Sequence, residues 1–402
     1  MIYFFYPSNM MGGAEYLMVN TANLLKDAGM DVGVVDYSDG WVSSNINDAS
    51  IKKIFIIKNE KIQLSEKDIL ITTASYLYKL DNYFSMSDTR VLFWVVQPYN
   101  VVLGLPSFFA KNKLYKLIGL KYISKKIISH KKNLEFILDK KGIVSMDSEC
   151  DRIINLNYGL NYNNFLPIFV GDNKFKRKDE SIKENDAIKI VWLGRIDLEF
   201  KIHILKKVLL DLNLIKNEFD KIFIFNIIGN GPGLENLKLF VKENLNFDVN
   251  FLGELKDNEL NFILEQSDIG FAMGTSALDI AAKKIPTILL DFSYEEVSHY
   301  NYRWIFETEG YILGRDIKLL SNFDMDSMKS LRVIFHELNK NQIKFSELCF
   351  NYVYINHSSQ NTLLQLSEYL VNTELTIKDI YDYSSTKPIW NKISYYLMKL
   401  RK

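Results

Sequence analysis

The chain has 402 residues, too many for one ordinary core, so its length predicts two domains of roughly 150 to 200 residues. Lysine plus arginine and aspartate plus glutamate each total 49, and this zero net charge argues against a protein that coats nucleic acid. Two cysteines, Cys150 and Cys349, make no disulfide framework and fit a reducing cytosol. The five histidines show no zinc-binding spacing, so we predict no metal site.

The first half of the chain alternates short apolar strands with helical patterns. It opens with IYFFY, which we interpret as a buried strand and not a signal peptide, because no basic segment precedes a long apolar run. Apolar residues at helical spacing then predict a helix over 14–29, ended by Gly29. Four further strand patterns follow, at 32–37, 52–58, 68–74 and 90–98. They predict a buried parallel sheet and a Rossmann-like acceptor domain over 1–168.

A basic and apolar segment lies within this half. Between Thr89 and Leu134 there is no acidic residue, whereas Arg90 and eight lysines occur. An ordinary solvated helix mixes both charge signs, so we interpret the segment as a contact with an anionic membrane, where each lysine contributes about 1 kcal/mol. An acidic cytosolic partner or ordinary core packing stays open, and a nucleic-acid groove is disfavoured. The lysines assigned to the membrane contact are Lys111, Lys113, Lys116, Lys121, Lys125 and Lys126.

The second half repeats the alternation after a charged stretch. Residues 171–189 are charged and almost free of large apolar side chains, and we predict a linker or loop over 169–188. Strand patterns at 189–194, 222–229, 249–253, 269–273 and 287–291, with helical patterns between them, predict a second Rossmann-like domain over 189–380. A basic helix over 381–402 follows, and we expect it either to pack back on the N-terminal domain or to contact the membrane. The predicted fold is therefore α/β, with two Rossmann-like domains facing a central cleft and sites at the carboxyl ends of the strands. No run of eighteen apolar residues occurs, so we expect a soluble or peripheral protein.

An abrupt turn joins a strand to a helix in the sequence FAMGTSALD, residues 271–279. Only Gly274, Thr275 and Ser276 separate the two patterns. Such turns expose backbone N–H groups at the start of a helix, where the macrodipole favours a phosphate. Asp279 follows Ser276 by three residues, and this spacing also fits a capping box that needs no ligand. Both interpretations stay open.

Four landmarks in the second half occur in a fixed order: WLGRIDLEFK at 192–201, IIGNGPGLENL at 227–237, VNFLGEL at 249–255, and SDIGFAMGTSALDIAAKKIPTILLD at 267–291. The first half adds NMMGGAEY from residue 9. Each motif is weak alone, but the ordered set resembles the retaining, nucleotide-sugar-dependent glycosyltransferases of family 4 with the GT-B fold. The resemblance is strongest to enzymes of bacterial surface polysaccharide, such as capsule and O-antigen, and covers residues 9 to 291.

The resemblance implies that Arg195 and Lys201 are the catalytic residues and steady the departing phosphate of a nucleoside diphosphate. A planar guanidinium fork and a point-like ammonium suit that group. For Lys201 alone, a solvated surface lysine is the ordinary alternative. The remaining donor-binding residues that it implies are Gly12, Gly13, Gln97, Gly194, Gly229, Asn230, Gly274, Thr275, Ser276 and Asp279. Asp279 matches a glutamate that holds the ribose, whereas Gly229 and Asn230 also fit a plain turn.

The sequence departs from the family pattern at two positions. Phe271 stands where the family often carries a glutamate that contacts the donor sugar. Gln97 stands where many relatives place a histidine, and an amide cannot titrate near neutral pH.

Glu15 favours a helix N-terminus. The Asp324-Met-Asp326 sequence fits a helix cap better than a metal site.

The resemblance implies a metal-independent retaining glycosyltransferase without a cofactor. Uridine donors are the commonest in the family and guanosine donors come next. The expected acceptor is a lipid-linked or oligosaccharide glycan at the cytoplasmic, inner face of the cell membrane. A sugar-nucleotide epimerase of the same architecture stays open, as does a non-catalytic glycan- or nucleotide-binding partner. A nicotinamide dehydrogenase is disfavoured because the first glycine turn lacks Gly-x-Gly-x-x-Gly.

Overall fold

The structure is a computed structural model that describes residues 1–46, 48–102, 127–175, 186–321, 324–325, 327–381 and 383. The chain forms two compact units. The first unit contains Met1–Pro167 and the chain from Thr362 onward, and the second contains Ile168–Asn361. The α/β class with two Rossmann-like units, predicted from the sequence, is confirmed. The six membrane-assigned lysines and nearly all of the expected basic helix 381–402 lie outside the described residues.

Each unit is built on a six-stranded sheet, and the two sheets share one strand order. Counted within each unit, that order is 3-2-1-4-5-6, the doubly wound arrangement. The strands of the first unit are β1 Ile2–Phe5, β2 Val32–Asp36, β3 Lys52–Phe55, β4 Ile69–Thr73, β5 Arg90–Val95 and β6 Ile143–Ser145. Those of the second unit are β7 Ala187–Leu193, β8 Ile222–Ile228, β9 Asp248–Gly253, β10 Ile269–Ala272, β11 Thr287–Leu289 and β12 Arg303–Trp304.

Helices connect these strands. In the first unit they are α1 Gly13–Asp27, α2 Trp41–Asn45, α3 over residues 127–139, and α4 Ser148–Tyr158. In the second unit they are α5 Lys201–Ile215, α6 Leu234–Asn244, α7 Asp257–Glu265, α8 Thr275–Ala281, α9 Leu331–Lys340 and α10 Gln342–His357. The last two are α11 Ser359–Asn372, within which the unit boundary falls, and α12 Ile377–Ile380.

The sheets are parallel except at one edge. In the first unit the strand pairs among the described residues are all parallel, and β1, β2 and β4 are buried apart from Ile2, as their apolar runs predict. In the second unit the two-residue strand β12 runs antiparallel to β11. Trp304 of β12 is fully buried and packs in the second core. This short strand gave no periodic signal in the sequence.

The chain returns to the first unit at its end. Thr373 Oγ1 donates to Val91 O at 3.0 Å, and Val91 N–H donates to Leu375 O at 2.7 Å. The first unit therefore begins again at Thr362, whereas the sequence-based boundary lay at residue 380. The described ends of the expected linker are also packed: Val170 is buried and bonds to His357 O, and β7 begins at Ala187.

Candidate functional site

The strand order of the second sheet changes direction between β7 and β10. Their register pairs Ile269 with Ile190 and Phe271 with Trp192, so the two carboxyl ends lie side by side. Ligands of doubly wound sheets bind at such a switch point. The loop after β7 carries Gly194 and Arg195, and the turn after β10 begins with Gly274. The fold therefore brings the two phosphate-binding segments expected from the sequence to one edge of the second sheet.

Arg195 and Lys201 differ in their surroundings. The Arg195 side chain is 67% exposed, with Nη2 at 3.9 Å from Asp197 Oδ2. Lys201 is the first residue of α5, and its Nζ lies 3.7 Å from the point that a Cβ on Gly194 would occupy. Burial lowers the pKa of Lys201, Asp197 opposes this shift, and Arg195 adds to it. A desolvated ammonium beside a second cation favours an anion at this strand end.

Asp197 was not assigned a role from the sequence. It is 4% exposed, and its Oδ1 accepts hydrogen bonds from the N–H groups of the residues 199, 200 and 201. These amides precede or begin α5 and have no helical acceptor of their own. An aspartate shortly before a helical pattern is a known start signal, so the sequence contained a clue to this residue.

The glycines after β8 support the loop that carries Arg195. A Cβ on Gly229 would lie 2.1 Å from Gly194 O, and one on Gly231 would lie 2.2 Å from Ile196 O. Both glycines have positive φ, 138° and 149°. Ile196 N–H donates to the backbone oxygen of Asn230 at 2.9 Å. Gly229 was interpreted either as part of a plain turn or as a nucleotide contact, and this geometry explains why the turn requires glycine. The Asn230 side chain is exposed, and among the described contacts it accepts only from the N–H group of its neighbour Gly231.

The turn after β10 starts α8 without a side-chain cap. Gly274 is the N-cap residue, with φ 65° and ψ −149°, a conformation that favours glycine. Because the helix starts at Thr275, Ser276 is not its cap and the capping box that we considered for Ser276 and Asp279 is wrong. Thr275 is exposed and Ser276 is half-buried. Asp279 instead accepts from Lys174 Nζ at 2.7 Å, an ion pair that the sequence did not indicate.

Phe271 and Asp324, two positions singled out in the sequence, both make contacts within the second unit. Phe271 is fully buried, with its ring centroid 6.3 Å from that of Tyr302. Asp324 pairs with Arg315 at 2.6 Å and also accepts from Ser321. Asp326 lies outside the described residues. Across the described part of the chain, no three histidine, cysteine or acidic side chains are grouped to hold a metal ion.

The sequence-predicted residues of the first half belong to the first unit. Gly12 is the N-cap residue of α1, and a Cβ there would lie 2.6 Å from Glu15 Oε2. Gly13 is exposed, and a Cβ added to it would meet no atom within 4 Å. Glu15 is only 8% exposed, in the first turn of α1. Gln97 is exposed just beyond β5. These residues follow β1 and β5 at the carboxyl edge of the first sheet.

An aromatic group beside Lys201 was also missed from the sequence. The segment after β11 bonds to the loop after β7 through Ser293 N–H and Phe200 O at 3.2 Å. Phe200 contacts the rings of Phe292 and Tyr294, with centroids 5.6 and 6.1 Å apart. Tyr294 is 52% exposed. Nothing periodic in the sequence marks this contact, because it joins residues almost a hundred positions apart.

No helix among the described residues is both long and apolar enough to cross a bilayer. No protein-family model and no curated protein sequence matches the chain.

Solved structures do match it. A glycosyltransferase from Rickettsia africae ESF-5 has a TM-score of 0.57 at 14% identity, over 96% of this chain and 99% of that one. The N-terminal domain of Candida albicans trehalose-6-phosphate phosphatase has a TM-score of 0.54 at 11% identity, over 92% and 96%. WaaG, a glycosyltransferase involved in lipopolysaccharide biosynthesis, has a TM-score of 0.50 at 12% identity, over 93% and 100%. At these identities the likeness concerns the fold alone, and the chain has the GT-B fold that the sequence resemblance predicts.

Proposed function

We propose that the chain is a retaining glycosyltransferase that transfers a sugar from a nucleoside-diphosphate sugar to a glycan or lipid-linked acceptor. The observation that carries the proposal is the pair of cations, Arg195 and desolvated Lys201, at the switch point of the second sheet. The fold alone does not select this reaction, because a matching structure is named for a phosphatase domain. The site residues and the ordered sequence motifs supply the remaining support.

In the proposed reaction the acceptor hydroxyl oxygen forms a bond to the anomeric carbon while the bond from that carbon to the phosphate oxygen breaks. The acceptor's proton passes to the leaving phosphate, so no protein base is required. Negative charge grows on the diphosphate as the bond breaks. Arg195 supplies a two-pronged donor and Lys201 a point charge to that oxygen group. The start of α8 lies on the neighbouring strand end, where the helix dipole favours the same charge.

Substitution of the two cations tests this proposal. We expect Arg195→Ala and Lys201→Ala each to weaken nucleoside-diphosphate binding by about 10- to 100-fold, because each removes a charged hydrogen bond. Transfer is expected to fall by about 10²- to 10³-fold. Lys206→Ala is the matched control, because Lys206 lies on the same helix and bonds to Asn236 at the surface. Undiminished binding and transfer in both variants would contradict the proposed phosphate site.

A thermal-shift panel identifies the nucleotide. UDP, GDP, CMP and ADP are compared with and without a chelator, and the proposal expects a diphosphate to raise the melting temperature in both conditions. We propose a uridine donor first, from the sequence resemblance. A shift that disappears with chelator would contradict metal independence. No shift with any diphosphate would contradict the donor site itself.

We further propose that the acceptor is lipid-linked and that the enzyme works on the inner face of the cell membrane, in surface-polysaccharide synthesis. This part rests on the lysine-rich sequence between residues 111 and 126. Flotation with anionic and neutral vesicles tests it. Binding to anionic vesicles that is lost at high salt supports the proposal, whereas equal binding to both kinds, or none, contradicts it.

Two alternatives from the sequence have distinct outcomes. A sugar-nucleotide epimerase would convert the donor without any acceptor, which product analysis detects. A non-catalytic partner would bind nucleotide or glycan without turnover across a broad acceptor panel. The second alternative is suggested by buried Phe271 and exposed Gln97, which stand where the family often carries a glutamate and a histidine.

A further inference from the structure

Asp197 lies next to both cations of the candidate donor site. Its Oδ1 accepts the N–H groups of Glu199, Phe200 and Lys201 at 3.2, 2.8 and 3.1 Å. Its Oδ2 is buried and has no hydrogen-bond partner among the described residues. Arg195 Nη2 lies 3.9 Å from Oδ2, beyond hydrogen-bonding distance. The Asp197 carboxylate thus bonds to the backbone N–H of Lys201 and faces the side chain of Arg195.

A buried carboxylate oxygen without a hydrogen bond is costly unless a nearby charge offsets the cost. The nearby charges here are the two cations that we assign to phosphate binding. Burial and Arg195 both lower the pKa of Lys201, and Asp197 acts in the opposite direction. Further titratable groups near this loop, among the described residues, are Glu199 on the loop itself, Tyr294 after β11 and Asp316 after β12. The charges of Glu199 and Asp316 act on Tyr294 together with that of Asp197.

We propose that Asp197 is a positioning residue for the Arg195 and Lys201 pair. Oδ1 fixes the backbone from which Lys201 projects, and the buried Oδ2 faces the Arg195 side chain. Asp197 itself touches no substrate in this proposal. Its link to nucleotide binding rests on the proposed function, whereas its effect on the Lys201 amine does not.

The conservative variant Asp197→Asn separates charge from capping. Asparagine accepts backbone N–H groups about as well as aspartate does, so the start of α5 is retained. The negative charge is lost, and a larger share of Lys201 amines is neutral at a given pH. Glu199→Gln is the matched control, because it removes one carboxylate charge from an exposed side chain of the same loop.

The first measurement is the rate of Lys201 acetylation by a limiting dose of acetic anhydride, followed by mass spectrometry at pH 7.5. Only a neutral amine reacts, so we expect faster labelling in Asp197→Asn than in the wild type or in Glu199→Gln, because the carboxylate that opposes the lowered pKa of Lys201 is removed. Equal rates in wild type and Asp197→Asn, or the same acceleration in Glu199→Gln, would overturn the proposal. This measurement requires no nucleotide.

The second measurement is calorimetric titration with UDP, GDP and ADP between pH 7 and 9.5. We expect the ratio of wild-type to Asp197→Asn affinity to widen as the pH rises from 7 to 9.5, because the variant loses the Lys201 charge at lower pH. A pH profile parallel to that of wild type would overturn the proposal. If wild type binds none of the three, the proposed function fails and the labelling result still decides the role of Asp197.

Folding is checked by the thermal midpoint of each variant. Asp197→Ser, which also keeps a capping oxygen, replaces Asp197→Asn if the latter does not fold. If neither variant folds, Asp197 has a structural role alone and the proposal is overturned.

Discussion

Gly229 shows how a residue with a sequence signature for ligand binding can be required by its own backbone. Its φ of 138° suits glycine, and the oxygen of Gly194 lies 2.1 Å from the point that a Cβ would occupy. A side chain there would push apart the two loops that follow β7 and β8. Arg195 directly follows Gly194, so this packing bears on the candidate site as well as on stability.

We expect Gly229→Ala to lower the free energy of unfolding of the second unit by about 3 to 5 kcal/mol, since backbone strain and overpacking add. Gly253→Ala is the control. Gly253 also has positive φ, 68°, but no atom lies within 4 Å of the added Cβ, so we expect a loss of about 1 to 2 kcal/mol. Urea unfolding of both variants makes the comparison, and equal losses would mean that the contact with Gly194 does not matter.

Other site residues show what a sequence leaves undetermined. The Gly194-Arg195 pair and the Gly274 turn follow apolar strands, so their arrival at the carboxyl edge of the second sheet could be predicted. The ion pair of Asp279 with Lys174 could not, because it joins residues that are distant in the chain. The start of α8 at Thr275 also excludes Ser276 as the N-cap residue of the capping box considered with Asp279.

At the scale of whole elements, periodicity located most of the strands that precede residue 292. All of the strand patterns that we identified correspond to β1–β5 and β7–β11. The short strands β6 and β12 were missed. A return to the first unit was considered only for the helix 381–402. Its start at Thr362 was not predicted, because it depends on tertiary contacts with β5 and not on a local pattern.

Leu375 is the centre of that returning segment. It is fully buried, and a Cβ on Gly142 would lie 2.4 Å from its Cδ2 atom. We expect Leu375→Ala to destabilise the first unit by about 2 to 5 kcal/mol, because it leaves a cavity in the core. Hydrogen exchange should rise at the Val91 amide, which donates to Leu375 O.

The matched control for Leu375 is Leu338→Ala, which removes a leucine that is 4% exposed from α9 in the second unit. Its effect on exchange is expected to be confined to that unit. If both variants gave the same exchange pattern, the segment after α11 would not belong energetically to the first unit.

For the molecule as a whole, acid is expected to act on both units through one buried histidine in each. His130 contacts the backbone oxygen of Val101 at 2.6 Å and the Tyr78 hydroxyl, and His357 contacts Ile168 O at 2.6 Å. Burial lowers the pKa of each to about 4. The unfolded chain takes up these protons near pH 6.5, so stability is complete above that pH and is lost as the pH falls toward 4.

We predict that each histidine contributes a slope of about 1.4 kcal/mol per pH unit between pH 6 and 4.5. His130→Gln should remove this slope from the unfolding of the first unit, and His357→Gln should remove it from the second. His336→Gln, at an exposed position, is the control. Urea unfolding at several pH values measures the slopes, and unchanged slopes in both variants would contradict the role of burial.

The first unit also contains carboxyl groups that act in the opposite direction. Burial raises the pKa of Asp147 to about 6 and that of Asp151 to about 7. Their folded pKa values lie above those of the unfolded chain, so their contribution is complete at low pH and is lost as pH rises to about 7. The difference between wild type and His130→Gln cancels this background, since both proteins contain the two aspartates.

The return of the chain to the first unit at Thr362 has a consequence for biosynthesis. The second unit is one uninterrupted stretch, Ile168–Asn361, whereas the first is divided by it. At about 5 to 20 residues per second, a ribosome needs roughly 10 to 40 s to make that stretch. During this time the nascent first sheet lacks the segment that covers Val91 and Gly142. The second unit is thus the first whose chain is complete, although its synthesis starts later. A premature stop before Thr362 leaves the first unit without its final segment.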